Sequence, residues 1–524
     1  MKSLPISRQT SSATLNLALD TISSGKQALI FVNTKPSAEK EAEEISRHSK
    51  KIKPELEALS EEILSALSKP TKQCERLSRC VKKGIAFHHA GLSSKQKDLV
   101  EEAFRKGLIQ IICSTPTLAA GLDLPAYRAI IKDLKRYGGA FGMTDIPVLE
   151  YLQMAGRAGR PSFDTQGEAI CIAKSEDEKN NIYFKYITGE PEAIYSKLAV
   201  EPVLRTYLLS LISTGFVSTH DSIMEFFSRT FWAHQFRDMA ELLSIIGKTL
   251  RLLEEWGFIT STSGAVTKDF VSGNEFLGDH GETYKATALG KRVSELYIDP
   301  LTAHRFVQGI EKSKAVALSE VSFLHLVSGT LEMRPWLSVR SKEYDILQEK
   351  SALIQPHLLI NEPSLYDPEY EDFLESLKCT IMFCEWMDER DEGYLLETYN
   401  VRPGEIRTKL DVADWLLFGV SELSRIMGKI EILKDINKTR IRLRYGVKEE
   451  LLALLKLEGI GRVRARRLFN SGFKNLGQLR DGDITTITTI IGQAIARSIK
   501  EQLGADVSMI PKGTRKGQLS LEKY

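Results

Sequence analysis

Five short apolar runs, at residues 28–32, 85–87, 109–113, 129–131 and 169–173, alternate with longer amphipathic stretches, and this alternation leaves few folds open to the first third of the chain. Apolar runs without polar interruption suit strands buried on both faces, and strands separated by helical stretches pair in parallel. The spacing therefore predicts an α/β unit, a parallel sheet wrapped by helices. Ser93-Ser94-Lys95-Gln96 predicts a capping box at the start of one wrapping helix, and Gly107 its end. Residues 36–67, rich in Glu, Lys, Ala and Leu, predict a long exposed helix or helix pair.

The chain has 524 residues, too many for one core, and divides into roughly three to five units. Helical periodicity at 203–212, 222–227 and 239–256, followed by strand-like runs at 258–260 and 284–287 around a Gly- and Ser-containing loop, predicts a winged helix. Such a module binds duplex DNA or serves as a structural bridge, and the residues fit both. From Gly290 to about residue 434 the pattern is helical with a polar break near 361–367, which predicts a bundle. Short helices around Gly459-Ile460-Gly461 fill 447–503, and a flexible tail completes the chain. The expected domains are 1–197, 198–288, 289–436, 437–505 and a tail, 506–524.

Net charge of +2 hides an asymmetry: from residue 438 onward 18 Lys or Arg face 8 Asp or Glu, so this stretch carries +10 and the rest −8. A basic terminal region points to a polyanionic partner, although a solvated face has the same composition. The six cysteines, at 74, 80, 113, 171, 379 and 384, form no Cys-x-x-Cys pair and sit mostly in apolar runs. They read as reduced thiols of an intracellular protein. No apolar run reaches the roughly 18 residues of a membrane span, and no signal peptide opens the chain, so a cytoplasmic location without membrane partners is expected.

Gln153-Met154-Ala155-Gly156-Arg157-Ala158-Gly159-Arg160-Pro161 is the densest chemical signal. Each interior Gly costs a helix about 1 kcal/mol relative to Ala, so two of them among arginines need a reason. Close approach to a charged ligand supplies one. Read as a helix, the stretch places Gln153, Arg157 and Arg160 at i, i+4 and i+7 on one face, and planar guanidiniums suit a transferring phosphoryl group. Upstream, Cys113-Ser114-Thr115-Pro116-Thr117-Leu118-Ala119-Ala120-Gly121-Leu122-Asp123 comes directly after a buried strand, where open α/β sheets bind ligands. Ser114, Thr115 and Thr117 can grip a nucleic-acid phosphate, and Asp123 suits a ribose hydroxyl or an arginine. A helix N-cap would explain one hydroxyl and leave the Asp unexplained.

With Leu29-Ile30-Phe31-Val32-Asn33-Thr34 and Phe87-His88-His89-Ala90-Gly91-Leu92, these segments resemble the motifs of the second RecA-like domain of superfamily-two helicases. The order of the downstream regions is similar to that of the archaeal Hjm family of DNA helicases, relatives of the Ski and Brr helicases. The resemblance runs over nearly the whole chain from Gln27 and is most specific in the two glycine-containing motifs. It implies an α/β RecA-like domain followed by a winged helix, an all-α ratchet bundle and a helix-hairpin-helix domain. Arg157 and Arg160 would be arginine fingers reaching ATP, with Gln153, Asp123 and Gly121 at the nucleotide, while Ser114, Thr115 and Thr117 would contact the tracking strand. Tyr137-Gly138-Gly139-Ala140-Phe141-Gly142 stands where the family has a duplex-splitting β-hairpin, and Tyr137 and Phe141 could unstack a base step. An ordinary surface hairpin fits the same stretch.

By the same resemblance, a long helix over 402–426 would be the ratchet helix, with Trp415 stacking on a base and Arg407 meeting phosphate. Taken without the family, a lone Trp at helical spacing more often packs in a core. Gly459, Gly461, Arg462 and Arg464 look like a helix-hairpin-helix that holds DNA phosphate without sequence preference. The near-copy at Ile491-Gly492-Gln493 lacks the first Gly, which argues against a second hairpin there. Gln518, Leu521 and Tyr524 resemble a sliding-clamp peptide, with one terminal aromatic where two are usual.

A complete motor also needs a Gly-x-x-x-x-Gly-Lys-Ser/Thr loop and an Asp-Glu pair for Mg2+ ahead of these motifs. Neither stands there. Gly247-Lys248-Thr249 comes after Leu242 where Gly is required, and Asp388-Glu389 comes too late. ATP and Mg2+ are thus expected mainly on a first RecA-like domain supplied in cis or in trans, and no metal ligands are assigned to this chain. The expected function is the C-terminal part of an archaeal, ATP-dependent 3′ to 5′ DNA helicase acting on single-stranded and forked DNA in replication repair. A non-catalytic DNA-binding and clamp-docking adaptor, and an RNA helicase of the same superfamily, are the alternatives.

Overall fold

The computed structural model describes residues 6–49, 53–67, 69–119, 124–137, 142–159, 164, 166–198, 200–236, 239–262 and 283–504. The chain divides into two compact units, each assembled from separated stretches. One unit comprises Met1–Ala199, Phe227–Met239 and Asp391–Lys409, and the other Val200–Phe226, Ala240–Arg390 and Leu410–Tyr524.

The first unit is built on β1 (Ala28–Phe31), β2 (Ile85–His88), β3 (Ile111–Ser114), β4 (Arg128–Ile131) and β7 (Glu168–Cys171), in the order β2-β3-β1-β4-β7. Every pairing is parallel, as the apolar runs predict. The four strands from β2 to β4 are buried along their whole length, which a sheet covered on both faces requires. The covering helices are α1 (Ala13–Ser23), α2 (Lys35–His48), α3 (Pro54–Leu64), α4 (Lys72–Val81), α5 (Ser94–Arg105), α6 (Val148–Ala155) and α7 (Glu176–Ile182). Helix α5 starts on the expected capping box, with Ser93 and Gln96 bonded reciprocally. The stretch expected as a long exposed helix or pair is the pair α2 and α3, exposed on one face at Glu55, Glu57, Glu61 and Glu62 and buried on the other at Ala38, Ala42, Ile45, Leu56 and Ile63. A small hairpin, β5 (Lys135–Tyr137) and β6 (Met143–Asp145), pairs Lys135 with Asp145 and Tyr137 with Met143.

Residues 391–409 join this unit through a backbone contact. Gly404 N–H donates to Gly91 O at 3.1 Å, and a Cβ on Gly404 would lie 2.3 Å from Leu92 O and 2.4 Å from Ala90 O. Only a residue without a side chain can approach that closely.

The second unit holds the helix Glu201–Ser213, most of the helix Met239–Glu255 and the antiparallel strands Ile259–Ser261 and Tyr284–Ala286. The helix Glu320–Ser328 packs on Tyr370–Met387 and Leu433–Tyr445 around Phe323, Leu324, Leu377 and Phe383. Gly247-Lys248-Thr249 lies inside Met239–Glu255, with Thr249 bonded back to Ile245 O, so it is no phosphate loop. A separate core of Val447, Leu451, Leu468, Leu479, Ile487 and Ile499 gathers four short helices between Arg462 and Gln502. Among the described residues no helix is long and apolar enough to cross a membrane. All six cysteines carry free thiols, and four of them are buried.

Candidate nucleic-acid interface

Strand register sets the geometry of the site. Phe31, His88, Ser114 and Ile131 end their strands level with one another, so the segments that come after them emerge along one edge of the sheet. There Asn33, Thr34 and Lys35 after β1, Ala90 after β2, Thr115, Pro116 and Thr117 after β3, and Asp133 after β4 line a groove of about 790 Å³. It is also lined by Arg136 of the hairpin, by Ile146 just after it, and by Pro147, Leu149, Glu150 and Gln153 around α6. Arg136 Nη1 donates to Glu150 Oε2 at 2.8 Å and ties hairpin to helix. The Thr115 and Thr117 hydroxyls are 2.9 Å apart, with Thr117 exposed. The arrangement offers hydroxyls, amides and one or two cations against apolar Pro and Leu surfaces, which matches the mixed surface of a single nucleic-acid strand.

The structure corrects two expectations drawn from the sequence. Ser114, expected to touch the strand, has its side chain fully buried at the end of β3 and does not face the groove. The stretch from Gln153 to Gly159 does not continue as one helix. Helix α6 ends at Ala155, and Gly159 adopts φ +94°. The chain leaves the helix because it pairs elsewhere: Ala126 N–H donates to Arg157 O at 2.9 Å, and Gly159 N–H donates to Ala126 O at 2.6 Å. The glycine is required for that left-handed turn.

Arg157 is therefore held by this short parallel bridge. Its Nε donates to Ala119 O at 3.0 Å, and Nη2 donates to the same oxygen. A guanidinium carries five N–H donors, and two of them brace the loop that presents Thr115 and Thr117. Gln153, expected at the nucleotide, lines the groove with those threonines. Gly121, Asp123, Arg160, Phe141 and the tail residues Gln518, Leu521 and Tyr524 lie outside the described residues, as does the side chain of Tyr137.

Next along the chain to the groove residues Lys35 and Ala90 is a charge cluster that sequence reasoning missed. Glu39, on α2, is 3% exposed. It receives Arg402 Nε at 3.0 Å, an Arg76 amine and the His89 ring at 3.2 Å. Burial by itself would raise the Glu39 carboxyl, but the His89 ring at 3.2 Å and the Arg402 guanidinium outweigh it and hold the group at about 2. Burial pushes the His89 ring below its ordinary value against the pull of Glu39. His88, buried and next to both His89 and Lys97, is pushed down to about 3, and its Nε2 lies 3.0 Å from Glu101 Oε1. The two adjacent histidines after a buried strand were the available signal.

In the second unit Trp415 is half-buried and its indole N–H donates to Leu296 O at 3.0 Å, which fixes the ring. Arg407, in the first unit, is exposed on the opening turns of the helix Pro403–Ile426. Arg462 stacks over Trp386 at 4.8 Å and donates to Arg390 O, while Arg464 donates to Gly459 O at 2.8 Å. The second hairpin that the sequence argued against is present: helices Ile484–Ile491 and Gln493–Gln502 flank Gly492, at φ +88°. One glycine with positive φ is enough for that turn, so the missing first Gly was not decisive.

A doubly covered parallel sheet, hydroxyl-bearing loops at its carboxyl edge and a Gly-Arg bridge bracing them define the carboxyl-terminal motor lobe of a superfamily-two helicase. Family models agree: "Helicase conserved C-terminal domain" matches residues 11–162, "Helix-turn-helix domain" 167–260, "Archaeal helicase, domain 4" 321–446 and "SAM-like Helix-hairpin-helix tandem" 451–505. The "ATP-dependent DNA helicase Hel308" of Methanocella arvoryzae is 37% identical over 509 residues, 95% of this chain and 66% of that protein. Its namesake from Methanococcus vannielii is 37% identical over 517 residues, covering 93% and 67% of the two chains. That of Pyrococcus abyssi is 36% identical over 514 residues, covering 96% and 67%. The chain belongs to the Hel308 family of archaeal superfamily-two DNA helicases, and it spans about two thirds of the length of these relatives.

Proposed function

We propose that this chain is the C-terminal part of an ATP-dependent 3′ to 5′ DNA helicase that acts on single-stranded and forked DNA in replication repair. The observation that carries the reading is the groove at the carboxyl edge of the sheet, with Thr115, Thr117, Asn33, Thr34 and Gln153 on its walls. Arg157 is braced on the loop that forms one wall. Thr117 and its neighbours hold the sugar-phosphate backbone, so binding is independent of base sequence. Arg157 and Arg160 complete a nucleotide pocket whose P-loop belongs to a first RecA-like lobe, and bound Mg2+·ATP supplies the free energy for the cycle. Trp415 and the terminal tandem hairpins hold the single strand that each cycle advances through the bundle, the β5–β6 hairpin parts the duplex, and the tail engages a sliding clamp. A protein acting on archaeal DNA in this way resides in the cytoplasm.

On this reading the chain by itself does not hydrolyse ATP. Adding a first lobe from a family member in trans should produce ATPase activity stimulated by single-stranded DNA, and Arg160→Ala should abolish it. Turnover by the pure chain alone, or activity indifferent to Arg160→Ala, overturns the motor reading. Stimulation by structured RNA in place of forked DNA reassigns the substrate.

A further inference from the structure

Lys35 is an odd residue for its position. It opens α2, whose first turn contains no acidic residue, and a cation at a helix N-terminus opposes the positive end of the helix dipole. Its amine is met by Glu405 Oε1, which lies in the opening turn of the helix Pro403–Ile426, within the same unit. The other carboxylate oxygen, Oε2, accepts Arg402 N–H at 2.9 Å. Both side chains are part-exposed, 31% for Lys35 and 27% for Glu405, so solvent and solutes reach the pair. Lys35 also lines the groove, together with Thr34, Thr115 and Thr117.

These facts give one anion two possible places. A helix N-terminus, a lysine amine and neighbouring hydroxyls form a phosphate seat, and a carboxylate from elsewhere in the chain occupies its cation. We propose that Glu405 is an internal stand-in for a strand phosphate, masking Lys35 until DNA enters the groove. On entry the Lys35 amine exchanges one oxyanion for another. Glu405 is not left stranded, because it keeps the Arg402 N–H and the favourable positive end of its own helix. Lys35 is thus a further strand-binding residue, and Glu405 sets how strongly the empty groove competes with DNA. The inference rests on the groove being the strand path, as proposed above.

The test is the salt dependence of oligothymidylate binding, measured by fluorescence anisotropy on the full chain, with thermal melts as a fold control. Lys35→Gln should weaken binding and lower the slope of log affinity against log salt by about 0.7, the release of one counterion from a single strand. Glu405→Gln should tighten binding roughly two- to fivefold, because one exposed ion pair no longer has to be broken. In the double variant the gain should vanish, leaving the Lys35→Gln value. Should Glu405→Gln fail to fold, Glu405→Asp keeps the carboxylate near Arg402 N–H but shortens its reach to Lys35, and the same tightening is expected. Glu405 variants that weaken binding as much as Lys35→Gln, or an unchanged slope in Lys35→Gln, overturn the exchange. Thr117→Val separates the two failures. If it weakens binding while the Lys35 and Glu405 variants change nothing, only the exchange is wrong; if it also changes nothing, the strand path itself is wrong.

Discussion

Replacing Gly404 by Ala sets two effects of opposite sign against each other. In the first turn of a helix, Ala is favoured over Gly by up to about 1 kcal/mol. In the folded lobe, however, the new Cβ would stand 2.3 Å from Leu92 O and 2.4 Å from Ala90 O. Both are backbone atoms that cannot swing aside, so the helix start must back away from the loop that carries Ala90. Overpacking of this kind costs about 1–3 kcal/mol. The retreat also strains the Gly404 N–H bond to Gly91 O, 3.1 Å long, a contribution of about 1 kcal/mol. It pulls Arg402 from the nearly buried Glu39 as well. The contacts lose about 2–4 kcal/mol against a propensity gain of about 1, so a net loss of about 1–3 kcal/mol is expected. For a unit of this size that lowers the melting temperature by about 2–12 °C. Calorimetry reads the shift, and amide hydrogen exchange at residues 402–408 should speed up in parallel. A melting temperature that stays level or rises, with exchange at those amides unchanged, would refute the reasoning and return Gly404 to the rule of propensity alone.

The same geometry sets three further outcomes. Burial holds His88 at about 3 in the folded lobe against an ordinary value of 6.5, so its neutral form is favoured by folding. With the folded value below the unfolded one, the contribution is complete above pH 6.5 and is lost as pH falls from there towards 3, up to about 5 kcal/mol in all. His88→Asn should flatten the pH dependence of urea unfolding between about pH 6.5 and 4, and an unchanged profile would rule this out. Arg157→Lys removes the paired donation to Ala119 O and should weaken oligothymidylate binding about fivefold, the equivalent of one hydrogen bond; equal affinity would show that the loop needs no brace. Glu389→Gln takes the charge from a carboxylate paired with Arg466, at 2.9 Å from Nε, and should destabilise the second unit by about 1 kcal/mol in a chemical melt, whereas no change would mark the pair as solvent-screened.

Which features could be read from the sequence depended on whether a local signal fixed them. Four of the five strands were legible because both faces of β1 to β4 are buried, so each reads as a short apolar run with no competing helical period; β7, at the sheet edge, is only partly buried and was legible from its apolar run alone. The groove loops were legible because a parallel sheet meets its ligands at the segments just after its strands, and Thr115 and Thr117 stand there. The end of α6 was not. Gly156 sits in ordinary right-handed geometry, and the helix stops because Ala126 captures residues 157–159, a pairing that local spacing does not announce.

The approach of Gly404 to Gly91, and with it the placing of Arg402 on Glu39 and of Glu405 on Lys35, joins residues far apart in the chain. Read singly, Glu39 looks like one more charge on a solvated helix face, yet it is 3% exposed and shared by two arginines and a histidine. A carboxylate so placed loses more if one partner is removed than its pairing gains, because the charge left behind remains buried. The same contact that covers Glu39 puts Glu405 beside the groove cation, so the packing that stabilises the lobe also decides what Lys35 holds when no strand is bound. If the exchange proposed above holds, stability of the lobe and affinity of the groove are coupled through one helix start, and a variant that loosens Gly404 should release Lys35 as it lowers the melting temperature.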